Sequence, residues 1–126
     1  MFYGGMSLIL NNYEEYIKIV KSVKEKLKGE YGFILNSSGY VRKYSIIEGK
    51  KVDVEGLNID KDIIDKIKGI DERIKEKYNL LDLIVYHNTG FLKVGEKIID
   101  VTIISKHRHE AIEALKELIN DIKKFH

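Results

Sequence analysis

An α+β domain is the fold class this sequence predicts, and three observations predict it. The chain alternates between stretches with apolar residues every three or four positions and short β-branched runs. Their order is helix, strands, helix, strands, helix, with no internal repeat and no low-complexity linker. The length, 126 residues, suits one domain with a core of its own. Residues 1–126 are therefore expected to form a single domain, with Met1 to Gly5 as a tail.

Each element has its own warrant. Tyr13, Tyr16, Ile17, Val20, Val23 and Leu27 share one helical face. Asn12 is placed to cap that helix, Glu15 sits where a capping box puts its acid, and Gly29 is a natural stop. Tyr31 to Leu35 reads as a strand. The polar run Asn36-Ser37-Ser38-Gly39 reads as a flexible break, after which Tyr40 to Ile47 resumes as a second strand. A turn at Gly49-Lys50 precedes a strand in which Val52, Val54 and Leu57 alternate. Asp60 then opens a second helix on the stripe Ile63, Ile67, Ile70, Ile74 and Tyr78, with Gly69 as an interior weak point. Leu81 to Tyr86 and Ile98 to Ile104 are apolar, β-branched runs of buried-strand type, joined by a loop from His87 to Lys97. A third helix from about Ser105 to Phe125 turns Ala111, Ile112, Leu115, Leu118, Ile119 and Ile122 inward.

Composition narrows the function classes. Cysteine is absent, which excludes disulfides, thiolate metal sites and cysteine nucleophiles. The formal net charge is +2, too small to make a nucleic-acid surface without clustering. No apolar run approaches the roughly 20 residues of a membrane span, and no signal peptide is evident, so the cytoplasm is the expected compartment. Pro, Trp and Gln are missing while Lys, Glu and Ile abound. That bias suits a thermophile's surface, and an AT-rich genome would produce it equally.

Four constellations carry chemistry. Ser105-Lys106-His107-Arg108-His109 gathers cations at a helix start, where they oppose the helix dipole. Such a cluster is either a phosphate or carboxylate site, or a solvated patch neutralised by Glu110 and Glu113. Gly39-Tyr40-Val41-Arg42-Lys43 offers a guanidinium that can fork onto an anion, though an isolated edge arginine is the commoner outcome. His87-Asn88-Thr89-Gly90 with Gly95-Glu96 offers a strand-end histidine, which more often holds a loop than catalyses. Lys116, Lys123 and Lys124 are otherwise dipole-favoured surface charges near a helix end. His107-x-His109 cannot place both rings on one helical face, so no metal site is expected.

Taken in order, these elements resemble the large, catalytic subunit of molybdopterin synthase, from about Gly32 to the end. The resemblance rests on Gly39-Tyr40-Val41-Arg42, on His87 to Gly90 with Gly95-Glu96, and on Ser105 to Arg108 followed by Ala111-Ile112-Glu113-Ala114. Spacing fits without a gap from Tyr86 to Lys123. It implies an α/β-hammerhead-like fold with a mixed or antiparallel sheet and three main helices. It also implies a homodimer and no cofactor. The implied partner is a ubiquitin-like small subunit whose C-terminal thiocarboxylate gives sulfur to cyclic pyranopterin monophosphate. By the same resemblance Lys123 is catalytic and Arg42, His107, Arg108 and Lys124 bind substrate, while His87, Gly90, Gly95 and Glu96 shape a loop.

The family's second lysine lies in a Pro-x-Trp-Lys segment with no counterpart among these 126 residues, and Asn88 stands where the loop arginine is expected. Three readings stay open: an active synthase subunit, a catalytically impaired paralogue that keeps the small-subunit surface, or a phosphoanion-binding module. One geometric expectation follows from the third helix. His107 and Lys123 lie sixteen positions apart, roughly 24 Å at 1.5 Å per residue, so one small substrate reaches both only across two chains.

Overall fold

The computed structural model describes residues 8–126, and the tail expected at 1–5 lies outside them. Strands β1 (Leu8–Leu10), β6 (Asp82–His87), β8 (Lys97–Ser105) and β2 (Phe33–Tyr40) make one sheet in the order β1-β6-β8-β2. β1 runs parallel to β6, and the other pairs are antiparallel. Helix α1 (Tyr13–Lys26) covers one face. Helix α4 (Arg108–Lys123), with α2 (Ile63–Ile67) and α3 (Ile70–Lys77), covers the other. Two antiparallel pairs complete the fold: the hairpin of β3 (Tyr44–Ile47) with β4 (Lys50–Asp53), and the long-range pair of β5 (Gly56–Ile59) with β7 (Gly90–Lys93). The α+β class with a mixed sheet and three main helices, the second broken, agrees with the sequence expectation.

Alternation in the strands creates the two faces. Leu83, Val85, Val101 and Ile103 join the α4 side, while Ile84, Tyr86 and Ile104 join the α1 side. Asn12 caps α1 as expected, its side chain accepting from the Glu15 amide at 2.9 Å. The buried stripe of α1 is Tyr16, Ile19, Val20 and Val23, and Ile17 is exposed instead. In α4 the buried positions are Ala111, Ala114, Leu118 and Ile122, an i, i+3, i+4 series that rotates Ile112 out to solvent.

Other expectations are corrected. The run Asn36-Ser37-Ser38-Gly39 does not break the chain; it is the second half of β2, paired residue by residue with β8. Its alternate polar side chains find polar partners there, Asn36 accepting from Thr102 and Ser38 donating to Asp100. The supposed His87 to Lys97 loop contains β7. Val52 and Leu57 belong to separate strands, β4 and β5. Gly69, at φ 96°, divides the second helix in two, because a left-handed residue cannot continue a right-handed helix.

Candidate functional site

The cationic cluster lies where β8 delivers the chain into α4. Ser105 is buried and its hydroxyl donates to the His107 carbonyl at 2.6 Å, which turns the backbone into the helix. His107 is the N-cap residue, in extended conformation and with no side-chain capping bond. Lys106, His107, Arg108 and His109 all stand exposed around an open depression of about 440 Å³ that Gly32 and Phe33 complete. Gly32 is required by close approach: a Cβ there would lie 2.5 Å from the Lys106 carbonyl oxygen. The first residues of α4 and the cations thus line the same depression, an arrangement suited to an anion.

Lys123 lies at the other end of the same helix. It lines a narrower concavity of about 290 Å³ between the end of α4 and the β2 edge, with Ser37 to Tyr40, Ile98, Ile99, Ile119, Ile122 and His126. This is not the closed basic pocket that several cations would build. Among the described lining residues Lys123 is the one lysine or arginine, and four of the ten are isoleucines. Lys124 points elsewhere, 3.5 Å from Asp121. Arg42 follows β2 two residues beyond Tyr40, so it is on the Lys123 side of the fold, but its guanidinium lies over the Tyr44 ring, 4.9 Å from the centroid. The chain therefore groups His107 with Arg108, and separately brings Arg42 near the Lys123 end. A helix of 16 residues, roughly 24 Å long, divides the two groups.

His87 ends β6 fully buried on the α4 side. Its Nδ1 is 2.8 Å from the Asn88 carbonyl oxygen and its Nε2 is 2.8 Å from Nε2 of His126. Burial pushes the His87 imidazole below its ordinary pKa. His126 is also pushed down, by burial and then by the nearby Lys123 charge. Gly95 and Glu96 form the turn that ties this region to the strand end, with the Gly95 amide donating to Val41 and the Val41 amide to Glu96. The Glu96 carboxylate accepts from the Lys93 amide at 2.7 Å, and Gly90 opens β7.

A second polar cluster was not anticipated from sequence. On the α1 face, Asp100 accepts from Tyr13 (3.0 Å), Lys97 (2.9 Å) and Ser38. The Tyr13 hydroxyl and the Asp100 carboxylate hold the Lys97 ammonium well above the usual lysine range. Asp100 and Thr102 at alternate positions in an otherwise apolar strand were the available signal. These groups satisfy one another and dock α1 onto the sheet. A larger depression of about 610 Å³ on the outside of α1 is lined by that helix alone, so nothing converges there. Among the described residues no group of three or more His, Asp or Glu side chains could hold a metal ion. Among the described residues no helix is long and apolar enough to cross a membrane.

A central sheet sandwiched between helices, with an anion-suited helix start and a lysine-lined groove at opposite ends of α4, defines a single-domain α+β protein with two separated polar sites. Comparison with known proteins sharpens that class. The family model described as MoaE protein matches residues 12–125, and the chain belongs to that family. It is 43% identical over 119 residues to an uncharacterized protein of Methanocaldococcus jannaschii, covering 94% of this chain and 100% of that one. It is 31% identical over 114 residues to the molybdopterin synthase catalytic subunit of Pyrococcus abyssi, covering 90% of this chain and 72% of that protein. Among solved structures, the complex of subunits 1 and 2 of the molybdopterin-converting factor from Helicobacter pylori superposes with a TM-score of 0.62 at 21% identity. That match covers 93% of this chain and 76% of the other, and shows likeness of fold.

Proposed function

We propose that this protein is the large, catalytic subunit of a molybdopterin synthase in molybdenum cofactor biosynthesis, working in the cytoplasm. The observation that carries the proposal is the match to the MoaE family along nearly the whole chain, with 31% identity to a molybdopterin synthase catalytic subunit. In this reading a ubiquitin-like small subunit presents its C-terminal thiocarboxylate, and its sulfur passes to cyclic pyranopterin monophosphate. The aliphatic groove beside β2 suits a narrow peptide terminus, and Lys123 at its side meets the reacting carboxylate with a positive charge. His107 and Arg108 take the substrate phosphate at the α4 N-terminus, where backbone amides add to their charge. Arg42 and Lys124 supplement the positive field at the Lys123 end.

Two chains are part of the proposal, because the two groups are a helix length apart. A homodimer bringing His107 and Arg108 of one protomer to Lys123 and Arg42 of its partner closes that distance. The exposed Ile47 and Val52 on one face of the β3–β4 hairpin, with Ile46 exposed on the other, support such an assembly, since a second copy would cover apolar surface there. A molar mass near one chain by light scattering at micromolar concentration refutes it.

The decisive experiment combines the purified protein, thiocarboxylated small subunit and cyclic pyranopterin monophosphate. Molybdopterin formation is the expected result. A second reading is favoured by one observation, that Lys123 stands without another lysine or arginine in its groove. On that reading the chain is an impaired paralogue that still binds the small subunit or a phosphoanion. Tight small-subunit binding without product formation would select it.

A further inference from the structure

The contact between His87 and His126 joins residues 39 apart in sequence and closes one end of the groove that Lys123 lines. Hydrogen-bond chemistry fixes its proton arrangement. The Asn88 carbonyl can only accept, so the His87 Nδ1 carries the hydrogen. The neutral His87 ring then presents a lone pair at Nε2, and the His126 Nε2–H must donate to it. The rings meet edge to face with centroids 4.9 Å apart. The backbone ties the same segment to Lys123: the His126 amide donates to the Lys123 carbonyl at 3.2 Å, and the Phe125 amide to Ile122 at 3.0 Å.

We propose that His126 is a positioning residue for Lys123: its ring, latched onto buried His87, pins the turn after α4 against the groove, and protonation of both rings releases it. The inference rests on the reading of Lys123 as the acting group. A helix end without a partner frays, and Lys123 occupies the last helical position of α4. Docking the following turn on a fully buried ring holds that position in register with β2. One proton leaves the contact intact, because His126 can carry its hydrogen on Nδ1 and accept from a protonated His87 Nε2; protons on both rings set two N–H groups head to head at 2.8 Å, which the contact cannot survive. A proton on His126 Nδ1 leaves its donor in place but adds a cation beside Lys123. The titratable side chains that line the groove with His126 are Lys123 from α4 and Tyr40 from the end of β2. Burial and the Lys123 charge both resist protonation of the pair.

The test uses the full chain and two substitutions. His126→Ala removes the donor. His126→Gln keeps it, because a carboxamide can donate to neutral His87 and, turned over, can accept from the protonated ring. Amide exchange at Phe125 and His126 should rise about tenfold in His126→Ala, the loss of one hydrogen bond, and return close to wild type in His126→Gln. In the wild type the protection of those amides, taken against their intrinsic exchange rate at each pH, should also fall as acid protonates both rings, and in His126→Gln it should not. Nitrogen-15 spectra should show His87 with its hydrogen on Nδ1. Unchanged exchange in His126→Ala, the opposite His87 tautomer, or the same acid response in His126→Gln each overturns the latch. In the synthase assay, turnover should fall about tenfold in His126→Ala and recover in His126→Gln, in step with the exchange. A wild-type chain inactive at every pH overturns the synthase reading, whereas the exchange measurements decide the latch by themselves.

Discussion

The docking of α1 onto the sheet turns on one buried hydroxyl pair, and a double-mutant cycle measures it. Tyr16 and Thr102 are both buried, with their oxygens 2.7 Å apart. The single Thr102 hydrogen goes to the exposed Asn36 carbonyl oxygen at 2.9 Å, so Tyr16 is the donor between them. Burial pushes the Tyr16 hydroxyl up to about 12, which keeps its proton in place throughout the neutral range. Tyr16→Phe deletes the donor and leaves Thr102 still bonded to Asn36, at a cost of about 1 kcal/mol. Thr102→Val costs more, about 2 kcal/mol, because the Tyr16 hydroxyl is then buried without an acceptor while Asn36 turns to water. In a chain of this length 2 kcal/mol lowers the melting temperature by about 8 °C. The double variant has neither hydroxyl to strand. Its loss should fall short of the summed single losses by about 1–1.5 kcal/mol. Urea unfolding of the four proteins provides the cycle. Additivity to within about 0.5 kcal/mol would refute the assigned hydrogen bond.

Three further outcomes are expected. Lys123→Ala should lower turnover in the synthase assay by about 100-fold or more while leaving the urea midpoint unchanged, since the side chain is exposed; undiminished turnover removes Lys123 from the mechanism. Gly32→Ala should destabilise the fold by about 1–3 kcal/mol and weaken inorganic phosphate binding, because the new methyl meets the Lys106 carbonyl and displaces the cationic cluster; a neutral result in both assays contradicts that packing. Stability should fall with acid through His87. Its folded-state pKa lies below the ordinary 6.5, so the unfolded chain binds the proton more readily. The contribution is complete above about pH 6.5 and is lost as pH drops towards the folded value, by at most about 1.4 kcal/mol per pH unit. Urea midpoints between pH 5 and 8 for wild type and His87→Gln check this, and parallel curves would exclude His87 as the source.

Legibility in the sequence followed the range of the interactions involved. α1, β6, β8 and α4 show themselves through local periodicity or unbroken apolar runs, and Asn12 announces the start of α1. The second half of β2 is invisible locally, because the residues that make Asn36 and Ser38 compatible with a strand are Thr102 and Asp100, more than 60 positions away. β1 has only three residues, and its hydrogen bonds come from a parallel partner, β6, more than 70 positions along the chain. β7 looks like loop because glycines at 90 and 95 bracket it, although they set the turns on either side of a strand. For the candidate site the same rule holds. The cationic cluster is contiguous and could be read directly. The floor of the Lys123 groove joins β2, β8 and α4 with His87 behind it, and no spacing rule relates those segments.

Rigid separation of the two polar sites makes the strongest demand on the synthase reading, and it can be met quantitatively. α4 holds Arg108 and Lys123 at opposite ends, roughly 22 Å apart, and packing through Ala111, Ala114, Leu118 and Ile122 leaves the helix no freedom to bend them together. If a working site takes Arg108 from one protomer and Lys123 from its partner, two dead variants must rescue each other. Arg108→Ala and Lys123→Ala chains, each inactive alone, are mixed in equal amounts and allowed to exchange subunits. Half the dimers are then mixed, and each contains one site with both native groups and one with neither. Recovered activity should therefore approach about a quarter of the wild-type value. A site built within one chain would recover nothing from the mixture, because every chain in it lacks one of the two groups.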